Sequence, residues 1–202
     1  LNNERGDKPV KKQNIQHECP YCGELFSEED LKEHVFKRHG KLNVPAPENQ
    51  IRLTVNNCEY VVQIRPNWTL YYVIHDVIGL TGSKQFCDRG ACGSCTMIVD
   101  GRPKLSCMML AIECDGAAVE TVEGVAASKH PLIDSYVNNH CMQCGYCTPG
   151  FVVSAKSLLD RNSDPTEEEI VEALAGNICR CGTYPQHPIA IKEAAAKLRT
   201  AK

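Results

Sequence analysis

No apolar run in the sequence approaches the roughly 18 to 20 residues needed to span a bilayer. The apolar stretches are as short as "VVQI" and "FVVSAKSLL", so no transmembrane helix is expected. An excess of one charge is also missing. Lys and Arg number 22 against 25 Asp and Glu, a formal charge of -3, which leaves no global basic field to draw the chain to nucleic acid or acidic lipid. The opening "LNNERGDKPVKKQN" lacks an apolar secretory core. A cytoplasmic location is the expectation, with an export leader lost upstream of Leu1 or export alongside a partner as the alternatives. Nothing is arranged as an acid, base or nucleophile for substrate chemistry, so no catalytic residue is assigned.

What the chain has in quantity is cysteine, 13 among 202 residues. An odd number packed into C-x2-C and C-x-C clusters is poor disulfide geometry, because bridged Cα atoms must stand apart with converging Cβ vectors. Clustered thiolates converge on metals instead, which predicts a reduced, metal-loaded protein.

The pattern divides the chain into a polar tail (1–16), a compact Cys/His unit (17–40), a linker containing "LNVPAPEN" (41–49) and two larger regions, 50–124 and 125–202. In the first region, Ile51, Leu53 and Val55 alternate up to an Asn56-Asn57 turn, and Tyr60, Val62 and Ile64 alternate after it, a hairpin signal. Leu70, Val73, Ile74 and Val77 then fall on one helical face, with Thr69 as N-cap and Gly79 past the end. A cysteine-rich loop, a strand "TMIV", a turn at Asp100-Gly101 and a returning strand ending "LSC" complete it. The second region is helical. Thr148 reads as an N-cap with Pro149 at N1, Thr166 and Glu169 form a capping box, Gly176 suits a helix stop, and "IAIKEAAAKL" is a last helix. The predicted class is α+β, a small mixed sheet folded over one helix and followed by a helical bundle.

Within "CDRGACGSC", Cys87, Cys92 and Cys95 stand as C-x4-C-x2-C, and Cys107 follows after eleven residues. This is the plant-type ferredoxin spacing for a 2Fe-2S cluster. Gly90 and Gly93 suit a loop whose amides must turn inward towards sulfide, whereas zinc knuckles favour two C-x2-C pairs. A second set lies in "QCGYCTPG" and "NICRCGTY": Cys144 and Cys147 precede a helix start, and Cys179 and Cys181 follow a helix end. Facing helix termini supply sulfurs and orphan donors to an anionic cluster. Four thiolates also suit a structural zinc. Cys141 makes "CMQCGYC" a C-x2-C-x2-C, so spacing does not say which two of the three bind.

Near the amino terminus, Cys19, Cys22, His34 and His39 read C-x2-C-x11-H-x4-H, with Phe26 and Leu31 as a small apolar core. This resembles a C2H2 zinc finger, a unit too short to fold unaided. Its helix begins "SEEDLKE", acidic where base-contacting residues would stand. A zinc-stapled clip docking on a partner subunit is the preferred reading, and a redox sensor that binds nucleic acid through the finger is the alternative.

From about residue 50 to 195 the chain resembles the iron-sulfur subunit of the molybdenum hydroxylases, the xanthine dehydrogenase and aldehyde oxidoreductase family. "LTGSK", "CDRGACGSC", "DGRPKLSC", "HPL", "QCGYCTPG", "PTEEEI" and "GNICRC" carry the resemblance, in that order. It implies a ferredoxin-like β-grasp domain followed by a four-helix domain, with one 2Fe-2S cluster in each. It assigns Cys87, Cys92, Cys95 and Cys107 to the first cluster and Cys144, Cys147, Cys179 and Cys181 to the second, leaving Cys141 out. It further implies a large partner subunit holding the molybdopterin cofactor, with Gln143 and Cys181 approaching the pterin, and a flavin subunit or cytochrome as electron acceptor. The family's usual "CRCTGY" reads "CRCGTY" here, as in the isoquinoline oxidoreductase branch, whose enzymes often lack a flavin subunit.

The remaining candidates read blandly. His75, His130, His140 and His187 are expected at the surface or at helix ends. Cys58 and Cys114 are expected as small buried thiols, Trp68 as a core or subunit contact, and Glu167 to Glu169 as a solvated first helical turn.

Overall fold

The computed structural model describes residues 17, 18, 24–27, 30, 34 and 49–200. Residues 1–48 and 49–202 form two separate compact units. In the first, β1 (His17–Glu18) pairs antiparallel with β2 (Leu25–Phe26). Ser27 Oγ accepts from the Asp30 amide at 3.2 Å, Asp30 and His34 are helical, and the His34 ring stacks on Phe26 at 4.0 Å. Of the four residues expected to hold zinc, Cys19, Cys22 and His39 lie outside the described residues.

In the second unit, β3 (Gln50–Val55) and β4 (Cys58–Gln63) form the expected hairpin. Asn56 and Asn57 both take positive φ, 49° and 67°, the type I′ turn whose twist matches the strands. Ile51, Leu53, Val55, Val62 and Ile64 are buried, so the alternation marks the core face correctly.

Thr69 caps α1 (Leu70–Tyr72), accepting from the Tyr72 amide at 3.2 Å. The helix then widens into a π turn over Val73–Val77, closed by the Ile78 amide on the Val73 carbonyl at 2.9 Å. The wider turn rotates the following residues off the 3.6-residue face. Val77, expected inside, is therefore exposed, and Ile78 packs on the core in its place.

Strands β5 (Thr96–Val99) and β6 (Arg102–Leu105) turn at Asp100-Gly101, again with two positive φ values. Between the hairpins lies β7 (Ala118–Glu120), parallel to β3 and antiparallel to β5, giving the order β4-β3-β7-β5-β6. Three residues are too few for a period, so only pairing reveals β7.

The helices are α2 (Val122–Ala127), α3 (Pro131–Asn138), α4 (Thr148–Arg161), α5 (Glu167–Leu174) and α6 (Gln186–Thr200). The capping box forms as expected: Thr166 Oγ1 accepts from the Glu169 amide at 3.3 Å, and Glu169 accepts from the Thr166 amide at 2.8 Å. Two helix starts differ from expectation. Cys147, not Thr148, is the N-cap residue of α4, and α6 begins ahead of Ile189, at Gln186. Leu132, Tyr136, Phe151, Ile170 and Ile191 centre a second core distinct from that of the sheet.

Of the remaining expectations, that for Cys58 changes, and those for Cys114, His130 and Trp68 hold. Cys58 is exposed beside its turn, while Cys114 is buried. His130 caps α3 by accepting from the Leu132 amide at 3.3 Å, and Trp68 packs half-buried on the first core. His187, expected at the surface or at a helix end, lies in the first turn of α6 but is only 1% exposed, its ring stacked on Phe151.

Candidate metal centres

The loop between α1 and β5 carries three cysteines, and the turn after β6 brings the fourth. Cys92, Cys95 and Cys107 are buried and Cys87 is half-buried. Gly90 and Gly93, with φ of 74° and 73°, turn the loop amides inward. The Ala91 amide donates to Cys87 Sγ at 3.2 Å, and the Arg89 and Cys92 amides face the same sulfur. The Gly90 amide faces Cys107. Ser106 Oγ donates to the Cys95 carbonyl at 2.7 Å, tying the Cys107 turn to the loop.

The thiols meet in twos. Cys87 touches Cys92 and Cys95 touches Cys107. The Arg89 amide and its neighbours bring the Cys87 thiol down to about 7, while burial and then the Cys95 contact push Cys107 up to about 12. Gathered thiols of this kind hold on to shared protons until a cation displaces them.

The second site sits between helix ends. Cys147 lies at the amino terminus of α4, and Cys144 lies in the exposed loop before it, where Gly145 has φ of 81°. Cys179 and Cys181 lie between α5 and α6, the first buried and the second half-buried against the second core. Cys147 touches Cys179 and feels the charge of Cys144. Burial pushes Cys147 up to about 12. At Cys179 burial acts the same way but is outweighed by the Thr183 hydroxyl and the Thr183 and Gly182 amides, bringing the thiol down to about 7. Cys141 is fully buried and its Sγ donates to the Gln186 carbonyl at 3.4 Å, the role of a protonated interior thiol.

Among the described residues no three His, Cys, Asp or Glu side chains converge as one mononuclear metal requires. A tetrahedral zinc needs four donors around one point. A binuclear cluster takes two thiolates per iron, and the Cys87–Cys92, Cys95–Cys107 and Cys147–Cys179 contacts, with inward amides for the sulfides, fit that group.

The two loops also touch each other, through residues that the cysteine spacing does not mark. The Ile178 amide, next to Cys179, donates to the Cys92 carbonyl at 2.9 Å. Asn177 Nδ2 donates to the Gly93 carbonyl at 3.0 Å, and Ser154 Oγ donates to Asn177 Oδ1 at 2.9 Å. Only glycine permits this approach: a Cβ at Gly150 would stand 2.3 Å from the Gly93 carbonyl oxygen, and one at Gly93 would stand 2.4 Å from that of Gly176. By contrast, a cleft of about 840 Å³ between the β3–β4 hairpin and α2 is lined by none of these eight cysteines. Gln143 is exposed beside Cys144. On the same loop Met142 and Tyr146 are open to solvent, as are Ile178 and Tyr184 beside Cys179 and Cys181.

Two family models match in tandem, "2Fe-2S iron-sulfur cluster binding domain" over residues 59–140 and "[2Fe-2S] binding domain" over residues 121–192. The chain is 41% identical over 146 residues to the nicotinate dehydrogenase small FeS subunit of Eubacterium barkeri, covering 71% of this chain and 93% of the relative. Against the nicotine 6-hydroxylase small subunit of Paenarthrobacter nicotinovorans the identity is 38%, covering 71% and 88%. Among solved structures, quinoline 2-oxidoreductase from Pseudomonas putida superposes with a TM-score of 0.70 at 39% identity, covering 73% of this chain and 93% of that one. The aldehyde oxidoreductase of Desulfovibrio desulfuricans superposes with a TM-score of 0.73 at 38% identity, over 76% of this chain but 18% of that longer one. Paired thiols in two abutting loops, tandem cluster-domain matches and relatives of nearly the same span lead to one family: the chain belongs to the small 2Fe-2S electron-transfer subunits of the molybdenum hydroxylase complexes.

Proposed function

We propose that Cys87, Cys92, Cys95 and Cys107 hold one 2Fe-2S cluster in a domain spanning 50–124, and that Cys144, Cys147, Cys179 and Cys181 hold the other in a domain spanning 125–202. Supporting this are the Cys87–Cys92, Cys95–Cys107 and Cys147–Cys179 contacts and the two separate cores. When bound, the clusters supply one-electron carriers whose potential depends on ligation, hydrogen bonds to sulfur and burial.

The chain's own part is placement. It buries three thiols of the first set and one of the second, leaves Cys144 exposed, and ties the two loops together. The observation that carries the reading is the Ile178 amide on the Cys92 carbonyl at 2.9 Å, which joins the two ligand sets by one hydrogen bond. The loop that carries Cys144, with Met142 and Tyr146 exposed on it, is the face for a large molybdopterin-bearing partner, with Gln143 and Cys181 towards its pterin. The Cys87 loop faces an external acceptor, a flavin subunit or a cytochrome. Relatives named for nicotinate, nicotine and quinoline favour a heteroaromatic carbon as the centre oxidised on the partner.

In the amino-terminal unit, zinc on Cys19, Cys22, His34 and His39 is supported by their spacing, the β1–β2 pairing and the His34–Phe26 stack. The unit reads as a clip for a partner rather than a nucleic-acid reader.

Metal analysis of the purified chain tests the whole. About four irons with matching labile sulfide, a red-brown spectrum and co-purification with a molybdenum-containing chain are expected; zinc without iron overturns the cluster assignment. Cys19→Ala is expected to remove zinc and leave iron unchanged, and a chain without zinc overturns the clip.

A further inference from the structure

The reordered "CRCGTY" puts a hydroxyl in a place the ligand spacing does not explain. Thr183 is 3% exposed, and its Oγ1 lies 3.2 Å from Cys179 Sγ. On its other side Oγ1 lies 3.3 Å from His187 Nε2. The His187 ring is held from behind, stacked on Phe151 at 4.2 Å and 9° and tilted against Tyr136 at 5.4 Å. Its Nδ1 is buried without a hydrogen-bond partner.

Counting protons fixes the direction of this chain. A thiolate bound to iron only accepts, so the single hydroxyl proton of Thr183 goes to Cys179 Sγ. The hydroxyl oxygen must then accept, and the only group offered is His187 Nε2–H. The imidazole is therefore the neutral Nε2–H tautomer with Nδ1 bare, and burial, which lowers its pKa to about 4, keeps it neutral. Each bond polarises the next.

We propose that Thr183 and His187 are positioning residues that tune the helical-half cluster, His187 orienting the Thr183 hydroxyl so that it donates to Cys179 Sγ and raises that cluster's reduction potential. The proposal rests on Cys179 being a ligand. A hydrogen bond into the sulfur withdraws electron density, which stabilises the reduced form carrying one more negative charge.

Redox titration followed by electron paramagnetic resonance, on the full chain as purified, is the test. Thr183→Val keeps the shape and removes the donor. It should favour the oxidised form of one cluster by about tenfold, a fall of about 59 mV for a one-electron couple, and leave the other cluster in place. Thr183→Ser restores the donor and should return the potential to within about twofold of the original. His187→Leu keeps the hydroxyl but frees its direction, and should move the same cluster about threefold in the same sense. A His187→Leu variant with full iron and both potentials unmoved overturns the relay while leaving the ligand assignment intact, as does the same result from Thr183→Val. A Cys179→Ala variant that keeps full iron and both cluster signals instead overturns Cys179 as a ligand, and the relay with it.

Discussion

The two cysteine sites differ in what supplies their hydrogen bonds. In the sheet half, Cys87 faces the amides of Arg89, Ala91 and Cys92, all backbone, turned inward by a loop with positive φ at Gly90 and Gly93. In the helical half, Cys179 is faced by a side-chain hydroxyl as well as by two amides, and behind that hydroxyl stands a buried imidazole. A backbone-built site is insulated from substitution, because every residue but proline carries the same amide. A site that borrows a side chain can be retuned by one residue change, which is what Thr183→Val tests.

The largest effect that would sharpen this contrast is loss of a ligand. Cys179→Ser should lose roughly half the iron and one cluster's resonance, while the other persists because its four thiols belong to the sheet half. Loss of both signals would mean that the sites are not independent. Gly150→Ala comes next. Its Cβ would stand 2.3 Å from the Gly93 carbonyl, and strain of about 1–3 kcal/mol should appear as a lowered unfolding temperature and weaker magnetic coupling between the clusters. Away from either site, Thr166→Ala removes one half of the capping box and should cost about 1 kcal/mol, a fall of about 2–4 °C for a chain this size. Smallest of all, Arg89→Ala keeps the amide that faces Cys87 and should shift the sheet-half cluster by less than about twofold. A large shift there would show that the first site also depends on a side chain.

Much of the architecture was legible because it follows local rules. The Asn56-Asn57 and Asp100-Gly101 turns need φ above zero at both central residues, which Asn, Asp and Gly tolerate. The Thr69 cap and the Thr166–Glu169 box satisfy orphan amides within three residues. The differences arose where the backbone left an ideal period or where an element depends on its partners. Val77 left the core because a π turn re-phased its helix, β7 exists only by pairing with β3 and β5, and His187 at the start of α6 is buried against Phe151 and Tyr136. Of the site, the cysteines were visible as spacing, whereas Gly150, Ser154 and Asn177 were not, since they act on a loop more than fifty residues earlier.

Cysteine chemistry and spacing along the chain were enough to mark the C-x4-C-x2-C, C-x2-C and C-x-C clusters as metal-ligand candidates, because thiols a few residues apart are close before anything folds. Only the tertiary structure decided how the sets meet: which carbonyl receives the Ile178 amide, why Gly93 and Gly150 cannot carry a side chain, and that Thr183 and His187 line up behind Cys179. Those relations join residues far apart in the chain, and they are fixed by packing the helical half against the loop of the sheet half, which no local pattern of residues encodes.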